Sequence, residues 1–499
     1  MMQCGDKVIL FGLSNVECRP AEHYLEEYDK KQKVLMIIDN NPDFAGEFHG
    51  IPVRPQSALA GYVNDETVTV IITARYRWEE IRNILLEMGF SKNRIIAAME
   101  DRTFILSYGT LVAKNKVDYL IQNGRVIDPL NGTDEVKDLA VCGNKIIELP
   151  QAPKLDWRNG VIDASGCIVT PGLVDFHTHI FHEGSGNSIL ADSMLSEGVT
   201  AAVDAGTAGT ANFESFYKTV AATSAIHIRS YLAPYPLGLA SGADTHSWDY
   251  TKYNMNKLLW LLEEYKGHIL GLKMKVSNGK VPVEAANEYL EKLVEIAESQ
   301  GIGVCVHPTD PPIPAEQIVE RLRKGDVFCH CYQGKGSTII NENGKVKREI
   351  LEARERGVLF DAANGFGGYG LEVCQNALAD GFFPDIISTD ATILFARKPY
   401  YFKNLPGLMS KYLALGMTLP DIVRAVTINP AKAMGMAERI GQLTPGTQAD
   451  IAILKWKEKP VTFKDCLGAS IEGKGLLVPQ MTMLGGEIRY CQTDFYTEC

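Results

Sequence analysis

LVDFHTH (173–179) opens on apolar residues and closes on two histidines two positions apart. A strand sends alternate side chains to one face, so His177 and His179 must point the same way. Seven further runs of buried character follow at helix-length intervals: VTAAVDAG (199–206), IHIRSYLA (226–233), ILGLKMKV (269–276), IGVCVH (302–307), DVFCHC (326–331), VLFDAA (358–363) and DIISTD (385–390). Strands alternating with helical spacers in this number predict a closed, parallel (β/α)₈ TIM barrel over 173–439. The active site of such a barrel lies at the C-terminal ends of its strands.

Residues able to bind a metal fall at those ends. His177 and His179 close the first strand, Lys273 lies near the end of the fourth and His307 ends the fifth. His330 lies on the sixth and Asp390 ends the eighth. A single histidine in a barrel strand is ordinarily a core residue. Here the chain has only ten histidines, and four of them land at predicted strand ends. Imidazole and carboxylate donors suit a divalent transition metal, zinc above all. His23, His49, His182, His227, His246 and His268 read as structural, with His182 nearest to the site.

Outward from the barrel, both flanks are rich in short strands. DYLIQNGRVIDPLNG (118–132), LAVCGNKIIEL (139–149) and GCIVTPG (166–172) precede it, and ADIAILKW (449–456) and MTMLGGEIRY (481–490) follow. Residues 109–172 and 440–499 are therefore expected to pair into one small β-sandwich. Residues 1–108 form a third block, in which KVILF (7–11), VLMIID (34–39) and VTVIITA (68–74) alternate with helical segments such as WEEIRNILLEMGF (78–90). That pattern predicts a parallel α/β unit. Its first strand runs into FGLSN rather than a GxGxxG phosphate loop.

Bulk properties exclude several function classes. A chain of 499 residues implies two or three domains. The net charge of −11 argues against nucleic acid or an anionic membrane as partner. No stretch has the make-up of a leader or a membrane span, and the eleven cysteines show no CxxC pair. Reduced thiols and a cytoplasmic location are the expectation.

PGLVDFHTH (171–179) resembles the opening signature of the amidohydrolase superfamily, and the later GLK, VH, HC and STD segments match its remaining metal-binding strands in order. The resemblance implies two divalent metal ions: one held by His177, His179 and Asp390, the other by His307 and His330. Lys273 would bridge them as a carbamate formed with carbon dioxide, with Lys275, on the same face, as the rival bridge. GVTAAVDAGTAGTANFESF (198–216), GDVFCHCYQGKG (325–336), ERGVLFDAANG (355–365), GFFPDIISTD (381–390) and LPGLMSKYLALGMTLPDIVRAVTINPAKAMGM (405–436) resemble the deacetylase subgroup related to dihydroorotases. Three positions depart from the subgroup pattern. Cys329 stands where it usually has Thr, and Asn364 and Thr392 where it usually has His.

The chemistry implied is cleavage of an amide or ester by a hydroxide bridging the two metals, with Asp390 as general acid/base. A small-molecule N-acyl amino acid is the expected substrate. Ring opening of a cyclic amide or lactone stands as the alternative, and a non-catalytic scaffold is disfavoured by the complete ligand set. Lys275, Tyr332, Gln333 and Asn364, with Tyr235, are candidates to line the substrate pocket. The N-terminal stretches VLMIIDNNPDFAGEFHGIPV (34–53) and VIITARYRWEEIRNILLEMGF (70–90) resemble the Rossmann-like domain that precedes some bacterial sugar-acyltransferase domains. That resemblance implies docking, assembly of a homo-oligomer or nucleotide binding.

Overall fold

The computed structural model describes residues 7–13, 20–27, 33–41, 44–74, 77–100, 116–150, 154–155, 160–240, 247–365, 367–393 and 404–495. Seven parallel strands form one curled sheet in chain order: Leu173–Thr178, Val199–Gly209, His227–Ala233, Ile269–Lys275, Gly303–His307, Val327–Cys329 and Leu359–Asp361. The eighth predicted run, DIISTD, forms no extended strand. Two isolated parallel bridges, Asp361 to Ile386 and Thr178 to Ala391, tie this segment to the last and first strands. Its ladder is short because Ser388 and Thr389 turn their hydroxyls onto Asp361 and Asp175, and Asp390 adopts φ 52°. The result is an α/β fold with a curled parallel sheet consistent with a (β/α)₈ barrel.

Along the first strand Val174 and Phe176 share an apolar cluster with Tyr231, Cys305 and Cys329, while Leu173 belongs to a separate one. The register shifts between Asp175 and Thr178, and there His177 turns to Lys273. Outside the sheet, helix Val283–Ser299 buries Ala286, Tyr289, Leu290, Leu293, Val294 and Ala297. That spacing makes a single apolar stripe. Each large side chain so buried contributes about 1.5–3 kcal/mol.

The two flanks meet in one sheet. Cys167–Pro171 pairs antiparallel with Ile451–Lys464, giving the order Thr133–Val136, Arg125–Asp128, Cys167–Pro171, Ile451–Lys464, Ser470–Leu484, Glu487–Cys491. A four-stranded sheet orders Lys145–Ile147, Leu139–Cys142, Tyr119–Gln122 and Val161–Asp163. Ile121, Val141 and Ile162 of the smaller sheet share an apolar cluster with Val126, Val169, Ile453 and Met483 of the larger. MTMLGGEIRY is two strands, because Gly485 and Gly486, both at positive φ, turn the chain between them.

The N-terminal sheet has the order Gly46–Phe48, Ile51–Arg54, Lys33–Ile38, Lys7–Phe11, Val68–Ile72, Ile95–Ala97. Among the described residues only the Gly46–Phe48 pairing is antiparallel. Helix Trp78–Glu87 follows the strand Val68–Ile72 and reaches the N-terminal side of the curled sheet, where Asn83 Nδ2 donates to Tyr217 Oη at 2.8 Å. The expected boundary at 108/109, Ser14 and Asn15 of FGLSN, and His246 lie outside the described residues. Among the described residues no helix is long and apolar enough to cross a membrane, and the eight described cysteines are free thiols.

Candidate metal centre

All six predicted donors converge at the C-terminal ends of the strands. His177 Nε2 lies 3.2 Å from Lys273 Nζ and 3.6 Å from Asp390 Oδ1. His179 Nε2 lies 3.2 Å from the same carboxylate oxygen. The donor atoms of His177, His179 and Asp390 all sit within 4.8 Å of one another, and those of His307, His330 and Cys329 do likewise. The rings of His307 and His330 are 4.2 Å apart, and that of His330 is 5.1 Å from that of His177. Among the described residues the buried His330 Nε2 has no hydrogen-bond partner, although its Nδ1 lies 2.7 Å from the Ala363 carbonyl oxygen. An imidazole fixed at one nitrogen and bare at the other is prepared for a cation.

The backbone is bent to achieve this. His330 and Asp390 adopt φ 53° and 52°, a left-handed conformation that costs about 1–3 kcal/mol per non-glycine residue and gathers at functional sites. The loop after the seventh strand then passes very close. A Cβ at Gly365 would overlap the Asp390 carboxylate, and one at Gly368 would overlap the His330 ring.

A second ring of groups orients the donors. Asp361, fully buried, accepts from Ser388 Oγ at 2.6 Å and from Ala363 N at 3.1 Å, and its Oδ2 lies 3.3 Å from His177 Nδ1. Burial pushes its pKa up to about 8. Asp175, pushed up to about 7 by burial, accepts from Thr389 N at 3.0 Å and Thr389 Oγ1 at 2.5 Å. Thr207 Oγ1 sits 2.7 Å from His179 Nδ1, and Asp204 accepts from Thr207 N at 2.7 Å. None of these outer residues was among the sequence candidates. Each acid nonetheless carries a signal there, as a lone carboxylate inside an apolar strand: VLFDAA, LVDFHTH and VTAAVDAG.

Electrostatics leave the donors in their binding states. Burial lowers His177 and His307 far below the usual imidazole range and His330 to about 4. Burial would raise Asp390, but the His179 hydrogen bond and the nearby His330 and Lys273 charges outweigh it and hold its carboxyl below the usual value. Neutral imidazoles facing an ionised carboxylate are what a divalent metal requires.

The substrate candidates divide sharply. Tyr332 Oη donates to the Phe382 carbonyl at 3.0 Å. Gln333 donates to Ser337 O at 2.9 Å and accepts from Asp310 N and Lys335 N. Asn364 donates to Ser388 O at 3.2 Å and accepts from the buried Lys411 ammonium. Tyr235 is buried. His182 pairs with Glu183 at 3.3 Å, away from the donor cluster. Lys275 differs: among the described residues its ammonium has no hydrogen bond or ion pair, and burial followed by the Lys273 charge brings its pKa down to about 8.

The sequence pattern of the Amidohydrolase family matches residues 168–489. A deacetylase of Agrobacterium fabrum is 30% identical over 345 residues, covering 68% of this chain and 82% of the relative. A deacetylase of Enterococcus faecalis is 27% identical over 380 residues, covering 74% and 98%. A crystal structure of a dihydroorotase superposes with a TM-score of 0.66 at 27% identity, covering 75% of this chain and 99% of that one.

Proposed function

The chain belongs to the amidohydrolase family and is a hydrolase of carbon–nitrogen bonds, and from that premise we propose that it deacylates an N-acyl amino-acid-like small molecule at a two-metal site. His177, His179 and Asp390 would hold one divalent ion, His307 and His330 the other, and Lys273 would bridge them as a carbamate. Carbamate formation joins the Lys273 amine to carbon dioxide and releases one proton. The observation that carries the reading is the bare, buried Nε2 of His330 beside the His307 ring, opposite an ionised Asp390. Zinc fits the donor set best.

The metals, when bound, would polarise the scissile carbonyl and lower the pKa of a water molecule. The chain's own residues do the rest. Asp390 takes the proton from the attacking water and returns it to the leaving nitrogen. Asp361 fixes the His177 ring through Nδ1, and Thr207 fixes His179. Lys275, without an ion pair among the described residues and on the same strand face as Lys273, would bind the substrate carboxylate. Ring opening of a cyclic amide is the second reading, favoured by the likeness to the dihydroorotase structure. The six-stranded N-terminal sheet, parallel but for one pair, supports a Rossmann-like docking domain over 1–108. The shared apolar cluster supports a β-sandwich built from 109–172 and 440–499.

Zinc-loaded full-length protein is to be offered N-acetyl amino acids and carboxylate-bearing cyclic amides. Two products per turnover mean deacylation; one product of substrate mass plus water means ring opening. Lys275→Ala should raise KM and leave the metal content alone. Loss of metal from that variant would reassign the bridge, and turnover confined to substrates without a carboxylate would overturn the substrate class.

A further inference from the structure

The hairpin formed by Ile451–Lys464 and Ser470–Leu484 extends well beyond the sheet it belongs to, and its distal half is largely exposed. Its tip nevertheless returns to buried ground. Asp465 Oδ2 accepts from Leu371 N at 2.8 Å, at the start of helix Leu371–Ala379, and Asp465 is only 7% exposed. Cys466 Sγ donates to the Tyr369 carbonyl at 3.2 Å, and Leu467 packs where a Cβ on Gly334 or Gly370 would stand. Underneath lies Lys411 of helix Leu405–Ala414, itself packed on the hairpin, since its Ser410 Oγ accepts from Leu477 N at 2.8 Å. The Lys411 ammonium rests 3.4 Å from the Tyr369 ring centroid and donates to Asn364 Oδ1.

The contacts of Asp465, Cys466 and Lys411, and that of Leu467 with Gly370, land on the stretch that begins at Asn364 and ends at Leu371. That stretch carries Gly365, packed on Asp390, and Gly368, packed on His330. We propose that the hairpin tip, through Asp465 and the buried Lys411, positions this loop, and so sets the geometry of His330 and Asp390 from the C-terminal segment of the chain. The inference rests on the metal-site reading above. Lys411 has no carboxylate within ion-pair distance among the described residues, and burial brings its pKa down to about 7. A buried cation without a counter-charge is retained at a cost. Its ring contact with Tyr369 and its bond to Asn364 put that cost to use at two points of one loop. Asp465 and Lys411 are positioning residues, because neither lies within reach of a donor atom except through the loop.

The test uses the full chain loaded with cobalt(II), whose visible absorption reports the ligand geometry independently of turnover. Asp465→Asn keeps an oxygen for the tip amides of Leu467 and Ala469 but presents an amide to Leu371 N, so the tip can form while the loop contact is lost. That variant and Lys411→Met should retain cobalt, show a shifted visible spectrum and lose kcat roughly 10–100-fold with little change in KM, the scale expected of a small misplacement. Thr462→Ala, on the exposed part of the same hairpin, should match the wild type in both readouts. A folded Asp465→Asn protein with wild-type spectrum and kcat overturns the positioning role alone. A wild-type chain that takes up no cobalt overturns both this inference and the metal-site reading. If Lys411→Met does not fold, the outcome with Asp465→Asn decides.

Discussion

The histidines at the two ends of the curled sheet are the same residue type put to opposite uses. At the N-terminal ends each has an acid of its own: His268 Nε2 lies 3.0 Å from Glu79, and His227 Nε2 lies 3.1 Å from Asp450. At the C-terminal ends His307 and His330 crowd each other at 4.2 Å between rings, with no carboxylate between them among the described residues and with Cys329 Sγ within 4.8 Å of their donor nitrogens. Paired histidines tie parts of the protein together. Crowded, neutral histidines are the arrangement that the proposed cation would use.

Removing one crowded ring should have the largest effect. His330→Ala is expected to bind fewer metal ions than the wild type and to lose activity by far more than the roughly 10–100-fold typical of outer-shell changes. Elemental analysis beside turnover checks it, and full metal content in the variant would break the contrast between the two ends. Asp390→Asn comes next. It should keep much of the metal while losing about 10²–10⁴-fold in kcat, and the acidic limb of its kcat/KM profile should flatten. Since Asp390 is held below the usual carboxyl range, the wild-type limb should lie on the acid side of an ordinary carboxylate's titration. Near-wild-type turnover with both metals present would remove Asp390 as the proton carrier.

Asp361→Asn sharpens the comparison from the outside. Its carboxyl touches His177 at Nδ1, while Nε2 faces Lys273 and Asp390, so metal affinity or activity should fall about 10–100-fold. Asn preserves the shape and one acceptor for Ser388 Oγ–H and Ala363 N–H. A variant indistinguishable in metal affinity and turnover would mean that His177 holds its orientation without the carboxylate.

What the sequence revealed follows from how local the signal was. Apolar runs located seven of the strands, because strand period and residue type agree there. DIISTD misled because its pairing depends on Ser388 and Thr389 reaching acids on distant strands, which no local pattern encodes. ADIAILKW marked only the buried half of a 14-residue strand. The rest, through Lys464, alternates charge with exposure and includes Pro460 at a break in register, so it reads as loop. The hairpin tip was illegible for the same reason: Asp465 and Cys466 gain their meaning from Leu371 and Tyr369, nearly a hundred residues earlier. Lys411 looked like one more basic residue on a helix, and only the fold buries it.

The smallest effect on activity is expected at the other end of the sheet, at Glu79. This residue opens the helix that brings the N-terminal block to the curled sheet, with Arg229 at 3.7 Å and His268 at 3.0 Å. Burial alone would raise its pKa, but the His268 hydrogen bond and the charges of His268, Arg229 and Arg439 outweigh it and bring the value down to about 2. A glutamate depressed in the folded state contributes stability that is fully present above its unfolded pKa of about 4.3 and is lost as pH falls toward the folded value. Glu79→Gln should therefore melt lower than the wild type at pH 7, by roughly 2–4 °C for each kcal/mol lost in a domain of this size. The gap should narrow steadily as pH falls from about 5 toward 2, because the unfolded chain takes up a proton that the folded Glu79 refuses until about 2. Metal content and kcat should not change, because no metal donor touches this cluster. A melting difference that is the same at both pH values would mean that Glu79 acts through packing rather than charge. A variant that loses metal would show the two ends of the sheet to be coupled.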